Sequence, residues 1–457
     1  MQSLNGKTHS RLSLSCLTFA LLLWIVVTSH TMRAQDNVFT GTNTGAQRIR
    51  IAVADFKPGS ADPQTTPLKS TFDATLFSDL ENAGIFDVVS KSMIPQATPG
   101  SAAEMNVAQW SAAPASASMV AFGSFSVQGT SLVVSGLLFD AKNAQYPQVL
   151  AKQYNDQATE AAARQTAHRF ADEIIFRLGG GVPGIAETKI YYVHSEGGNK
   201  EIWQMDYDGA NQHSITHLGT ISISPRISPD NSRLAFSSLG RDGFQVRMYS
   251  MLLNRMVSFP IASGTNLSPA WAPDGNQIAY SSSRTGDPEI YISDANGAGT
   301  RRVTSFRGPD VSPVYNPKTS AQMAWISGRT GLPQLYIMNT DGSGIQRMTD
   351  GGYASSPSWS PSGQFIAFAW DRKYGPGAPG GQDIYVMEVA TKRWIQLTHD
   401  GGRCDFPSWS PDGRHIVYAN TADGHQDHMK IWTMLADGTQ KHPISGNGGD
   451  MPNWSWK

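Results

Sequence analysis

The 457-residue chain has two cysteines, and one of them, Cys16, lies in an N-terminal apolar segment. Cys404 is left alone, so no internal disulfide can staple the exported chain; stability must come from packed cores and strand pairing. Charge is also scarce. Asp, Glu, Lys and Arg make up 16% of residues and the formal net charge is −1, which excludes the electrostatic footprint of a nucleic-acid binder or of a basic membrane-surface protein. No H-E-x-x-H, Walker loop, G-x-S-x-G or C-x-x-C occurs. The carboxylates are too scattered to suggest an acid–base pair. The chain therefore reads as non-enzymatic, with no metal or cofactor expected.

Long hydrophobic runs are missing too, with one exception. Lys7 and Arg11 precede an apolar stretch from Leu12 to Val27, and small and polar residues follow to Ala34-Gln35. The stretch falls short of the roughly 20 residues of a membrane span. A positive flank, a short greasy core and a small residue predict a secretory signal peptide over 1–34. The expected product is an exported chain with no stable membrane span after cleavage.

Glycine (44) and proline (26) are abundant, and they are arranged regularly. Trp409-Ser410-Pro411-Asp412-Gly413 has relatives at Trp271-Ala272-Pro273-Asp274-Gly275 and Trp359-Ser360-Pro361-Ser362-Gly363, with weaker copies at Ile227-Ser228-Pro229-Asp230-Asn231 and Tyr315-Asn316-Pro317-Lys318. Proline presets φ at the second turn position and glycine takes the positive φ that closes a hairpin. After each turn comes an apolar strand such as Gln277-Ile278-Ala279-Tyr280. A loop follows, often Ser-x-Arg-x-Gly, then a second strand with an aromatic (Glu289-Ile290-Tyr291), an Asp-Gly or Asn-Gly turn, and a third strand. Successive prolines from Pro229 to Pro361 recur about every 44 residues, a repeat period in the range of propeller blades. A longer gap to Pro411 is taken up by the Gly/Pro-rich loop 371–382. Six such units predict a six-bladed β-propeller over 183–457. The truncated copy at Trp454-Ser455-Trp456 supplies an inner strand that the first blade lacks, closing the ring and removing its open edges.

Ahead of the propeller, residues 35–182 predict a small α/β domain. Residues 48–56 alternate as a strand. Leu68, Phe72, Leu76 and Leu80 give one apolar stripe of a helix. Residues 118–127 and 131–139 form a hairpin. A last helix from about Ala158 to Leu178 buries Ala163, Ala167, Phe170, Ile174 and Leu178, leaving Arg164, His168, Asp172 and Arg177 largely outside the stripe. His168 reads as a helix-surface or domain-interface histidine, and His425-Gln426-Asp427-His428 as exposed polar residues rather than a metal site.

Loops entering the inner strands should cluster around one mouth of the channel: 264–268, 308–312, 352–356, 403–406 and 449–451. Their candidate contact residues are Thr265, Asn266, Leu267, Ser268, Asp310, Val311, Ser312, Ala354, Ser355, Cys404, Asp405, Phe406 and Asp450. A propeller without catalytic motifs suits a protein-binding platform. The alternative is a propeller-channel hydrolase or cation-dependent enzyme, which a channel ringed by Asp, Glu and Asn would favour.

The joining segment carries a resemblance. Ala167-His168-Arg169-Phe170-Ala171-Asp172-Glu173-Ile174, then Gly181-Val182-Pro183-Gly184-Ile185-Ala186-Glu187-Thr188-Lys189-Ile190-Tyr191-Tyr192-Val193, resembles the A-H-x-x-A-D-x-I helix and G-x-F-x-T-x-I-A-Y-V blade entry of the TolB family, periplasmic components of the Tol-Pal system. The likeness covers nearly the whole exported chain. It implies a non-catalytic periplasmic scaffold that binds the peptidoglycan-associated lipoprotein Pal on its channel face and supports outer-membrane integrity and cell division. The family's Pal-contacting loops match Thr265-Asn266-Leu267-Ser268 and Asp310-Val311-Ser312, with different residue types. The resemblance also puts TolA on the N-terminal segment 35–47, whose sequence departs from the family's.

Overall fold

The computed structural model describes residues 48–375, 381–399, 402–425 and 428–456. The expected signal peptide (1–34) and the segment 35–47 lie outside the described residues.

The first domain is built on a mixed sheet. Strand β1 (Ile49–Val53) is central, β2 (Lys57–Pro58) is a short strand on the same sheet, and β3 (Phe86–Val88) and β4 (Met119–Gln128) flank β1 in parallel. Strands β5 (Ser131–Asp140) and β6 (Gln148–Gln157) extend it as an antiparallel meander. Helix α1 (Thr65–Asn82) brings Phe72, Leu76 and Leu80 to one face of the sheet, and the short α2 (Val107–Ser111) brings Trp110 to the other. Helix α3 (Glu160–Leu178) lies beside α1. Thr159 caps it, its Oγ1 accepting from the Ala162 amide at 3.2 Å. Phe170 closes the core over Gly136, where a Cβ would lie 2.7 Å from the ring.

No element is expected between Phe139 and Ala158, yet β6 fills that gap. None of its ten residues is buried. It is a polar edge strand, and such a strand loses the apolar alternation that identifies a half-buried one.

Six four-stranded sheets follow as blades. The inner strands are Ser222–Ile227, Asn266–Trp271, Asp310–Tyr315, Tyr353–Trp359, Arg403–Trp409 and Gly449–Trp454. They serve blades 2 to 6 and, last, blade 1. Gly449–Trp454 pairs antiparallel with Lys189–Glu196, so the two ends of the propeller share one sheet. The recurring turn forms as expected. The Gly413 amide donates to the Ser410 carbonyl at 3.0 Å, Gly413 has φ 69°, and Ser410 Oγ accepts from the His415 amide at 3.0 Å. The tryptophans before these turns wedge between neighbouring blades. Trp271 packs with Val246 and Met248 of blade 2, and Trp359 with Leu335 and Ile337 of blade 4. Trp454 packs with Val417 of blade 6 and Ile190 of blade 1, and its Nε1 donates to Thr188 Oγ1 at 2.8 Å.

The first domain sits on the turn end of blades 1 and 6. Asp79 of α1 accepts from Tyr207 Oη at 2.5 Å and faces His168 Nδ1 of α3 at 2.8 Å; all three are buried. Asp172 Oδ1 accepts from the Ala186 amide at 3.0 Å. His415 Nε2 lies 2.7 Å from the Asn82 carbonyl. His168 and Asp172, expected largely outside the helix stripe, are 2% and 4% exposed, because the propeller covers that side of α3. Burial pushes the Asp79 carboxyl up, and the hydrogen bonds of His168 and Tyr207 oppose that only in part.

Two predictions follow from these contacts. Trp454→Ala removes the closing wedge and should cost about 3–5 kcal/mol, a large share of the ~5–15 kcal/mol of an ordinary fold; an unchanged urea midpoint would refute the closure role. The second concerns pH. A raised carboxyl pKa makes ionised Asp79 a burden that is absent below the ordinary value of 3.8 and grows as pH rises through the raised value. Asp79→Asn should remove this pH-dependent loss. Urea midpoints of both proteins between pH 4 and 7 check it, and parallel profiles would count against it.

Candidate functional site

Each inner strand begins with the same distortion. Its pairing to the second strand slips by one residue, between Leu267 and Ala270 in blade 3 and at the matching place in the other five. This is a β-bulge with one extra residue on the inner strand. The residue just before the slip's proline has positive φ in all six blades: Ser224, Ser268, Ser312, Ser356, Phe406 and Met451, at 47–55°. A prolyl nitrogen has no hydrogen to give a ladder, so a bulge is where a sheet tolerates it. The repeated Ser-Pro thus fixes a kink at the channel mouth. Residues 266–268, 310–312, 353–356, 403–406 and 449–451, expected within loops, are the bulged first residues of strands.

The candidate residues separate by burial. Asn266, Asp310, Ala354 and Cys404 hold equivalent positions and are 0–1% exposed. Asn266 Nδ2 donates to the carbonyls of Ala262 (3.2 Å) and Gly264 (3.0 Å), tying down the loop before it. Asp310 accepts from Trp325 Nε1 at 3.1 Å and from Arg329 Nη2 at 3.0 Å. The Ser-x-Arg-x-Gly loop has its explanation here: Arg329 and Arg284 bond Ser327 and Ser282 and lie over the aromatics of their own blades. Cys404 Sγ accepts from Asn420 Nδ2 at 2.8 Å. Asp405 and Asp450 are also buried, and each accepts from the amide of the residue that follows it. Asp405 also holds Ser356 Oγ at 2.7 Å and Arg403 Nη2 at 2.9 Å. These six side chains brace the rim from beneath. Thr265, Leu267, Ser268, Val311, Ser312, Ser355 and Phe406 keep accessible surface.

The rim encloses a basin of about 850 Å³ over blades 4, 5 and 6. Val311, Ser312, Ala354, Ser355, Asp405 and Phe406 contribute to its wall, beside Tyr353, Tyr374 and Gln382. Loops on the same end carry exposed apolar side chains outside the expected contact set: Leu218, Leu239, Ile261, Phe306, Leu332 and Tyr374, each 37–67% exposed. Their signal was a large apolar residue in a loop otherwise built of small and polar residues. Asp423, also in the wall, bonds Thr421 Oγ1 at 2.7 Å and faces His428 Nδ1 at 2.5 Å. The Thr421 and His428 contacts hold its carboxyl well below the usual range. Residues 426 and 427 of the expected polar cluster lie outside the described residues.

Two family models account for this two-part architecture. Residues 177–457 match the TolB β-propeller domain and residues 42–146 the TolB amino-terminal domain. The chain belongs to the TolB family. The Tol-Pal system protein TolB of Desulfosudis oleivorans is 31% identical over 298 residues, 64% of this chain and 65% of that protein. The TolB homolog of Chlorobium chlorochromatii is 30% identical over 199 residues, 43% of each. The matched stretch thus spans less than two thirds of either relative. The crystal structure of TolB from Acinetobacter baumannii has the same fold, with a TM-score of 0.75 over 90% of this chain and 97% of that one at 23% identity. Among the described residues no helix is long and apolar enough to cross a membrane.

The bulge makes a direct prediction. Ser268→Gly should be neutral or stabilising, since glycine takes positive φ without penalty. Ser268→Val should destabilise by about 1–3 kcal/mol, the cost of a strained backbone position. Denaturation midpoints check both, and equal stability of the two variants would refute the assignment.

Proposed function

We propose that this protein is a non-catalytic, periplasmic component of the Tol-Pal system. On this reading it docks the peptidoglycan-associated lipoprotein Pal on the mouth face of its propeller, and so contributes to outer-membrane integrity and cell division. The observation that carries the reading is the mouth face itself: it holds a basin of about 850 Å³ and, on separate loops of the same end, six exposed apolar side chains. Exposed apolar residues gathered on one face, with polar groups between them, are the composition of a protein-binding patch. The first domain packs on the opposite end through Tyr207 and His415, which leaves the mouth open. TolA on segment 35–47 would complete the assembly, and that segment lies outside the described residues.

The test is calorimetric titration with the soluble domain of the organism's own Pal. Phe306→Glu and Leu332→Glu should each weaken binding about tenfold or more, as interface anchors do. Leu252→Glu is the control, since Leu252 is 81% exposed in a turn at the other end of blade 2. Equal affinity for all three variants would remove the mouth from the interface, and no binding by the unmodified protein would remove Pal.

A further inference from the structure

The position after each bulge proline faces the channel in every blade. The six residues there are Arg226, Ala270, Val314, Ser358, Ser408 and Asn453, and all of them line one cavity of about 110 Å³ toward the turn end. Among the cavity's lining residues Arg226 is the sole charged group; no aspartate or glutamate is present. Arg226 forms no ion pair among the described residues. The guanidinium's one hydrogen bond among the described residues runs from Nη1 to the Pro225 carbonyl at 2.8 Å. The residue keeps some accessible surface. It nevertheless lies deep in the ring, where desolvation brings its pKa down to about 10 and leaves it a cation at neutral pH.

The polar members of the ring each use their oxygen to accept one bond between blades. Ser358 Oγ accepts from the Trp409 amide at 3.4 Å, Ser408 Oγ from the Trp454 amide at 3.1 Å, and Asn453 Oδ1 from the Ile227 amide at 3.0 Å. Each also has hydrogen to donate: two hydroxyl donors and one amide NH₂. Trp359 and Trp409 also line the cavity, and their buried indole N–H groups have no partner among the described residues. An unpaired guanidinium among donors, with no carboxylate, repels cations and complements an anion. The volume far exceeds the ~10–15 Å³ that one water requires.

We propose that the lower channel binds one small oxyanion, a phosphate, sulfate or carboxylate group, on the Arg226 guanidinium, with Asn453 and Ser408 as the next donors round the ring. The planar fork of arginine matches two oxygens of such a group. The site is separate from the mouth basin and takes a ligand of the opposite charge from the cation that an acid-ringed channel would hold.

Calorimetric titrations of the unmodified protein with sodium phosphate, sulfate and acetate, each against sodium chloride of equal ionic strength, test it. Phosphate or sulfate should bind once per chain with a Kd of about 1 mM or tighter. Arg226→Gln should weaken that binding at least tenfold, and Arg226→Lys, which keeps the charge but loses the fork, by less. Saturation by acetate as well supports the carboxylate member of the class. Selenate soaked into crystals of the unmodified protein should give an anomalous peak beside Arg226, which checks the site even if the Gln variant folds poorly. No saturable heat with any of the three anions, an Arg226→Gln variant that binds as well as the parent, or a selenate peak only elsewhere would overturn the proposal.

Discussion

The pairing of Gly449–Trp454 with Lys189–Glu196 is the constraint on which the rest of the propeller depends. Without it the ring has two free sheet edges and a gap between blades 6 and 1. The contact joins residues far apart in sequence: the Lys189 amide donates to Ser455 Oγ across 266 positions. Closing so long a loop is less costly than its length suggests, because the entropy grows only with the logarithm of the span. Trp454 makes closure hydrophobic as well as hydrogen-bonded. It sits among side chains of both blades that it joins, so the last strand acts as a packed layer and not merely as a ladder partner.

Closure also decides which end of the ring stays free. The first domain anchors on Tyr207 and His415, in the blades that meet at the seam. Asp79, His168 and Tyr207 are buried together there, and a buried polar cluster is tolerable only when its members bond one another. Such a cluster fixes one relative placement of the two domains, since sliding would strand a carboxylate without donors. The occupied face is the turn end. The mouth, with its bulged Ser-Pro corners and exposed Phe306 and Leu332, is left to solvent.

Much of this was readable in the residues themselves. Turn chemistry at Pro411-Asp412-Gly413, the period of the prolines and the truncated copy at Trp454 specify blades and closure because each acts locally and recurs. Burial within the mouth was not readable. Asp310 and Leu267 look alike as loop residues, yet Arg329 and Trp325 draw the Asp310 side chain inward, and those partners lie 15 or more residues away in sequence. Strand β6 was hidden for a different reason. An edge strand with no buried residue carries no periodic signal, and only its neighbour β5 gives it a place. His168 was legible as a histidine near a domain boundary, but not as the partner of Asp79.

The same repeat that builds the ring also accounts for its asymmetry. At the position after the bulge proline, a side chain with an acceptor can bond the inner-strand amide of the next blade, as Ser358, Ser408 and Asn453 do. Arginine, alanine and valine have no acceptor there, so blades 2, 3 and 4 join their neighbours without that bond. At Arg226 the join is made from the other direction, by Trp271 Nε1 donating to the Arg226 carbonyl at 3.0 Å. The guanidinium is thereby released from any duty in holding blades together. A side chain kept for stability alone would not place a desolvated cation in a cavity with no carboxylate among its lining residues, because removing a charge from water costs several kcal/mol unless something compensates it. Compensation by an anion turns that cost into affinity, and the hydroxyl and amide hydrogens left over from the blade-to-blade bonds face the same space.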